Sequence, residues 1–257
     1  MSQAREQLRT VLTDAGKLAR ARSVTQVSEK AALDYVTNVD HELDRWLTEA
    51  LPSVVPDAAV HSEERPMTGA GAKSWLIDPL DGTHNLKAGI SFCAISAALF
   101  VEDEVVLAGV CEIGSGDIYL AERGAGSWLN DERLHASATH SGLIAVSSGA
   151  MDSLIRHPQA YARLRAVGKL RNLGAQALHL CYVARGRFAL AVSQEARLWD
   201  DAAGRLIAEE AGSRYVAFGG ARLTPEDIKR PGKSVCGHPD IFDMAAETFG
   251  EIWKTKD

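Results

Sequence analysis

The run Trp75-Leu76-Ile77-Asp78-Pro79-Leu80-Asp81-Gly82-Thr83-His84-Asn85 constrains this chain more than any other stretch. Trp75, Leu76 and Ile77 read as a short buried strand, which Pro79 and Gly82 then break. Two carboxylates, Asp78 and Asp81, stand at the strand's end. Held that close and unaided they repel, and one takes up a proton. A divalent cation relieves the repulsion, and oxygen-only ligands suit Mg2+, Mn2+ or Ca2+ better than zinc. Gly82 and Thr83 add backbone N–H groups that can face an anion if a helix starts behind them. Carboxylates, a hard cation and an amide cradle together point to phosphate chemistry.

The spacing of the acids narrows that chemistry. Phosphatases with an aspartyl nucleophile carry two acids two residues apart, so that both reach phosphorus. Here Leu80 holds that position and the second acid comes one residue later. Along an extended strand, residues i and i+2 share a face while i and i+3 do not. Asp78 and Asp81 are therefore expected to converge through a turn at Pro79 and Gly82. A covalent phospho-aspartate is not expected.

A chain of 257 residues can bury a full core, and its 46% hydrophobic and 24% charged residues are ordinary for a globular protein. The net charge of −6 argues against broad nucleic-acid or anionic-membrane binding. Cys93, Cys111, Cys181 and Cys236 lie far apart in apolar stretches, which predicts buried free thiols rather than disulfides or a zinc site. The N-terminus is polar and no apolar run approaches ~18 residues, so neither export nor membrane insertion is expected. A reducing cytoplasm fits.

Helical spacing runs from Ala4 to Arg22, with Arg5, Arg9, Lys17 and Arg20 expected outside. Thr37 or Asn38 is expected to cap a second helix with Asp40 in its first turn, where an acid complements the helix dipole. Residues 57–64 read as a strand ending in Glu63 and Glu64, and 67–73 as a mobile Gly-rich loop. Residues 92–100, 105–113, 117–122 and 127–130 read as an antiparallel meander. A strand at 143–148 opens the second half, followed by a helix around 161–167, a helix from Gly174 to Arg185 and a strand at 188–193. Asp200 heads a further helix as a cap, and Asp201 is expected to face solvent. A polar loop around Pro225, a strand at 234–237 and a helix from Pro239 to about Trp253 complete the chain. His84 is expected to line a pocket, His61 and His179 to pack or meet solvent, and no histidine has metal-site spacing.

The run from Trp75 to Leu86, with Gly89 and Phe92 to Ser96, resembles the first signature of the inositol monophosphatase family, W-x-[IV]-D-P-[IL]-D-G-T-x-N-F, with Leu86 replacing Phe. Asp34-Tyr35-Val36-Thr37 followed by Asp40 is similar to that family's D-x-V-T-x-x-D, and Ser62-Glu63-Glu64 to its G-E-E. Trp199-Asp200-Asp201-Ala202-Ala203-Gly204 resembles W-D-x-A-A-G. Gly174-Ala175-Gln176-Ala177 resembles G-[ST]-A-A less closely.

The resemblance implies a layered αβαβα sandwich, with an antiparallel sheet in the N-terminal half and a mixed sheet in the C-terminal half. It implies one domain over 1–257 with subdomains of about 1–140 and 141–257, a homodimer, and Li+ sensitivity. By the same resemblance, Glu63, Asp78, the Leu80 carbonyl, Asp81 and Asp200 hold two or three Mg2+ ions. Asp40 and Thr83 orient the attacking water, with Glu63 part of the catalytic set, and the N–H groups of Gly82 and Thr83 hold the phosphoryl oxygens. Gly174, Ala175, Gln176 and Ser193 fall at substrate-contact positions. Ser193 stands where many relatives carry a glutamate that contacts substrate hydroxyls, and Glu195 lies close by. Lys30 falls near a family lysine, but the loop length differs and no role is assigned to it.

The implied reaction is Mg2+-dependent hydrolysis of a small phosphate monoester, inositol 1-phosphate or a similar sugar or polyol phosphate. Histidinol phosphate, a 3′(2′),5′-bisphosphate nucleotide and fructose 1,6-bisphosphate are the alternatives on the same site. A regulatory protein that binds without catalysis is the reading from another class.

Overall fold

The computed structural model of the chain describes residues 2–31, 34–65, 71–135, 139–219, 224 and 227–254. Most of the expected Gly-rich loop, and Pro225, lie outside the described residues.

Helices α1 (Gln3–Ala21) and α2 (Asn38–Ala50) each bury one apolar stripe: Leu8, Leu12, Ala15 and Ala19 on the first, and Val39, Leu43 and Leu47 on the second. Between them, β1 (Val27–Ala31) and β2 (Asp34–Thr37) pair antiparallel. Thr37 ends this hairpin and caps α2. Its Oγ1 accepts from Val39 N at 3.1 Å, while the Asp40 carboxylate accepts from Thr37 N at 2.9 Å. This reciprocal box satisfies two N–H groups the helix cannot satisfy itself. The outward placement expected for Arg5 is corrected. It is 3% exposed, with its guanidinium 3.5 Å from the Trp128 ring centroid and 3.9 Å from Glu122. A ring face and a carboxylate there stand in for water around the cation.

Seven strands follow in spatial order: β3 (Ala59–Ser62), β4 (Lys73–Asp81), β5 (Ala94–Val101), β6 (Glu104–Glu112), β7 (Ile118–Glu122), β8 (Gly126–Leu129) and β9 (Glu132–Arg133). All adjacent pairs are antiparallel except β3 with β4, a parallel pair at the edge. The short helix α3 (Thr83–Lys87) lies between β4 and β5. The second half holds β10 (Leu143–Val146), α4 (Ser148–Arg156), α5 (Pro158–Val167), β11 (Lys169–Arg171), α6 (Gln176–Ala184), β12 (Leu190–Ser193), α7 (Leu198–Glu210), β13 (Arg214–Phe218), β14 (Lys233–Gly237) and α8 (Pro239–Lys254). Its sheet runs β11-β10-β12-β14-β13, with β10 parallel to both β11 and β12 and the other pairs antiparallel.

Both sheets are buried on two faces, so their strands read as continuous apolar runs, and alternate residues enter different layers. On β5, Ile95, Ala97 and Leu99 pack toward α1 and α2, whereas Ala94, Ala98 and Phe100 face α6 and α7. On the second sheet, Ile144, Val146, Leu190 and Val192 pack outward toward α4, α5 and α8, and Ala145 and Ala191 turn back to α6 and α7. The result is an αβαβα stack with α6 and α7 as its middle layer. Small side chains line that layer because the helices approach closely. A Cβ on Gly204 of α7 would sit 2.7 Å from Leu180 Cβ of α6. The four cysteines are buried and free. Among the described residues no helix is long and apolar enough to cross a membrane.

Candidate active site

β4 does not break at Pro79 as expected but continues to Asp81. Asp78 pairs with Ser96 and Asp81 with Ala94, so three steps along β4 span two along β5. The extra residue is a β-bulge. It restores the parity that a three-residue spacing would lose, and Asp78 and Asp81 can meet on one side without a turn. Proline suits the bulge because it has no N–H to leave unpaired in the ladder.

Gly82 then takes φ +92°, a left-handed value, and caps α3. A Cβ there would lie 3.1 Å from Phe92 O and 3.3 Å from Ala175 Cβ. Asn85 ties this loop down, donating through Nδ2 to Phe92 O at 2.7 Å and Leu173 O at 2.6 Å. Thr83 opens α3, so its N–H has no acceptor within the helix. Its Oγ1 lies 3.0 Å from Asp40 Oδ1 and 3.1 Å from Leu80 O. Asp40 therefore serves both the α2 cap and Thr83.

Glu63, Asp78, Leu80, Asp81, Gly82, Thr83 and Asp200 line a single cavity of about 390 Å3. Three separate elements deliver the acids: Asp78 and Asp81 from β4, Glu63 from just beyond β3, and Asp200 from the first turn of α7. Burial pushes the Asp78 carboxyl well up, and Glu63, Asp200 and Asp81 add to this. Burial likewise raises Asp81 to about 7, against the pull of the Ala177 and Gln176 N–H groups. Asp200 is raised by burial and by Asp81 and Glu63. These groups feel one another's charge, which places them within one electrostatic neighbourhood.

Each acid already has a protein partner. Asp78 Oδ1 accepts from Leu80 N at 2.9 Å, Asp81 Oδ2 from Ala177 N at 2.7 Å, and Asp200 Oδ2 from Arg197 N at 2.7 Å. Glu63 accepts from Lys30 Nζ at 2.9 Å, and the same ammonium reaches Glu64 at 2.6 Å. Burial works against that charge, but Glu63 and Glu64 overcome it and the Lys30 pKa rises. So held, no three Asp, Glu, His or Cys side chains among the described residues form a closed ligand cluster. The donor set nonetheless fits a hard cation. It is all oxygen, and its carboxylates retain protons for want of positive charge.

The substrate-contact positions divide. Gly174 lines the main cavity. Ala175, Gln176 and Ser193 reach only a side chamber of about 180 Å3, which also touches Asp81 and Asp200. Gln176 Nε2 instead donates to Asp201 Oδ1 at 2.8 Å. The Ser193 Oγ accepts from Ala196 N at 3.1 Å. Asp201, expected in solvent, is 7% exposed and also accepts from Tyr215 OH at 2.9 Å. It is buried because β13 and α6 close over that side of α7, and hydrogen bonds replace its hydration. His84 lines the cavity, while His61 and His179 are buried.

Lys30, Glu195 and Arg197 also face the cavity without a role assigned from sequence. For Lys30 the signal was its distance from the family's lysine. For Glu195 it was only its place beside Ser193. Nothing in local sequence marked Arg197.

The sequence profile described as the inositol monophosphatase family matches residues 2–253. The chain is 37% identical over 234 residues to an inositol-1-monophosphatase of Rhizobium meliloti, covering 87% of this chain and 86% of that protein. It is 32% identical over 212 residues to a protein of Xylella fastidiosa named Nus factor SuhB, covering 80% and 77%. The solved extragenic suppressor protein suhB of Bartonella henselae superposes with a TM-score of 0.84 at 26% identity, covering 99% of this chain and all of that one. Relatives named Nus factor remove the support for reading the acidic net charge as an exclusion of nucleic-acid partners.

Proposed function

From the premise that this chain belongs to the inositol monophosphatase family, we propose that it hydrolyses a small phosphate monoester, inositol 1-phosphate or a similar sugar or polyol phosphate. The observation that carries this reading is the Thr83–Asp40 contact of 3.0 Å beside four carboxylates in one cavity. With its proton given to Asp40, the Thr83 hydroxyl can accept from a water and aim its lone pair at phosphorus. Gly82 and Thr83 offer N–H groups to phosphoryl oxygens, and the close approach at Gly82 leaves no space for a side chain. Lys30 holds Glu63 in place from the rim. Asp78, Asp81, Asp200, Glu63 and the Leu80 carbonyl would hold Mg2+, two or three ions in all. When bound, Mg2+ supplies positive charge for the phosphoryl group and lowers the pKa of a water. No Cys, Ser or His nucleophile is needed.

A panel assay of phosphate release with Mg2+ tests the reading, using inositol 1-phosphate, histidinol phosphate, a 3′,5′-bisphosphate nucleotide and fructose 1,6-bisphosphate. Release from a polyol phosphate supports it, and release from one of the others alone redirects the substrate while keeping the chemistry. A second reading, binding without catalysis, is favoured by the names of relatives such as the Xylella protein. Release from none of the panel would select it. We also propose a homodimer, which Met151, Ile155 and Tyr161, exposed together on α4 and α5, support. Light scattering checks it.

A further inference from the structure

We propose that Glu195 selects the substrate at this site by accepting hydrogen bonds from the hydroxyls of a polyol or sugar phosphate. This rests on the phosphomonoesterase reading. Glu195 borders both the main cavity and the side chamber beyond it, and thus lies where the two spaces join. Its carboxylate is held from behind: Oε1 accepts from Ser148 N and Oε2 from Gly149 N, each at 3.0 Å. A Cβ on Gly149 would lie 3.2 Å from Oε2, so the backbone presses closely against the acid.

That arrangement is not needed to end α4. Ser147 already caps the helix, its Oγ accepting from Ala150 N at 3.3 Å. A carboxylate offers about four acceptor positions, and two amides leave about two for a ligand. The amides fix the rotamer before any ligand arrives, which lowers the ordering cost of binding. Ser193 shapes this placement. It is 1% exposed, and its Oγ accepts from the N–H groups of Glu195 (3.4 Å) and Ala196 (3.1 Å), forming the turn that carries Glu195 to the cavity. The hydroxyl-reading acid is thus displaced by two residues from the position the family pattern gives it.

The test measures kcat and KM of the wild type, Glu195→Gln and Glu195→Asp on inositol 1-phosphate, on O-phosphoethanolamine and on p-nitrophenyl phosphate, with the thermal midpoint of each protein. The ratio of kcat/KM for the inositol ester to that for the nitrophenyl ester should fall about tenfold or more in Glu195→Gln, chiefly through KM, because a site built for hydroxyls loses what it was built for. Gly149→Ala, which crowds Oε2 while keeping the acid, should shift the same ratio in the same direction by a smaller factor. A ratio unchanged in both variants, even with lowered stability, would show that Glu195 only supports α4 and would overturn the proposal. Loss confined to the ammonium-bearing ester would also overturn it. A wild type that cleaves none of the three esters refutes the phosphatase reading itself, which is a separate outcome.

Discussion

Gln176 Nε2 and Asp201 Oδ1 meet at 2.8 Å between the first residue of α6 and the fourth of α7. The bond joins the two helix starts that serve the acids of the cavity. One residue on, Ala177 N clamps Asp81; one residue back, Asp200 enters the cavity. Neither position is specified by the family's motifs, so this chain carries its own tie between the two helices.

Replacing either partner alone should destabilise the fold by about 1–3 kcal/mol, since the other buried polar group loses its partner. The pair Gln176→Leu with Asp201→Leu should cost less than the sum of the singles. Urea midpoints of the four proteins close the cycle. Strict additivity would show that the contact carries no coupling.

Asp81→Asn should keep the fold and lose turnover by roughly 10²-fold or more, beyond what loss of a supporting contact usually costs. Circular dichroism and phosphate release check the two halves of this expectation. A folded variant with retained turnover would remove Asp81 from the chemistry.

Metal should compete with protons at the same acids. A folded-state pKa of about 7 for Asp81, against 3.8 as its ordinary value, means the folded chain holds a proton that the unfolded chain has released. Without metal, that stabilising difference is present below 3.8 and is lost as pH rises through 7. Mg2+ replaces the proton, so its thermal stabilisation should be larger at about pH 8 than at about pH 6. Equal shifts at both values, read by scanning fluorimetry, would place the cation elsewhere.

His179 has the opposite sign. Burial lowers its pKa from 6.5 to about 4, and its Nε2 has no hydrogen-bond partner among the described residues. The unfolded chain therefore binds a proton first as pH falls, and stability is lost between 6.5 and about 4, with no further loss from this group below. The full effect is on the order of 3 kcal/mol. His179→Phe should flatten the stability profile across that window, measured by urea denaturation at a series of pH values.

Periodicity made α1, α2, α7 and α8 legible, because a stripe facing a core repeats every 3.6 residues wherever the helix sits. The cap at Thr37 was legible for the same local reason. The path of β4 was not: Pro79 and Gly82 are breakers by composition, yet the ladder to β5 carries the strand through a bulge to Asp81. Arg5 escaped because its solvent is replaced by Trp128, a residue more than a hundred positions away.

By itself, the amino-acid order determined the family, the layered α and β composition, and the kinds of donor atom that the motifs offer. Spacing and side-chain chemistry are local properties, and they survive in a linear string. Only tertiary packing decided that Asp201 points inward to Gln176 across a separation of 25 residues, and that Lys30 holds Glu63. It also decided that the start of α4 presents Glu195 to the cavity. Those contacts depend on how close α6, α7 and the sheets approach, a distance set by Gly204, Ala98 and Ala145 acting together rather than by any one stretch of chain.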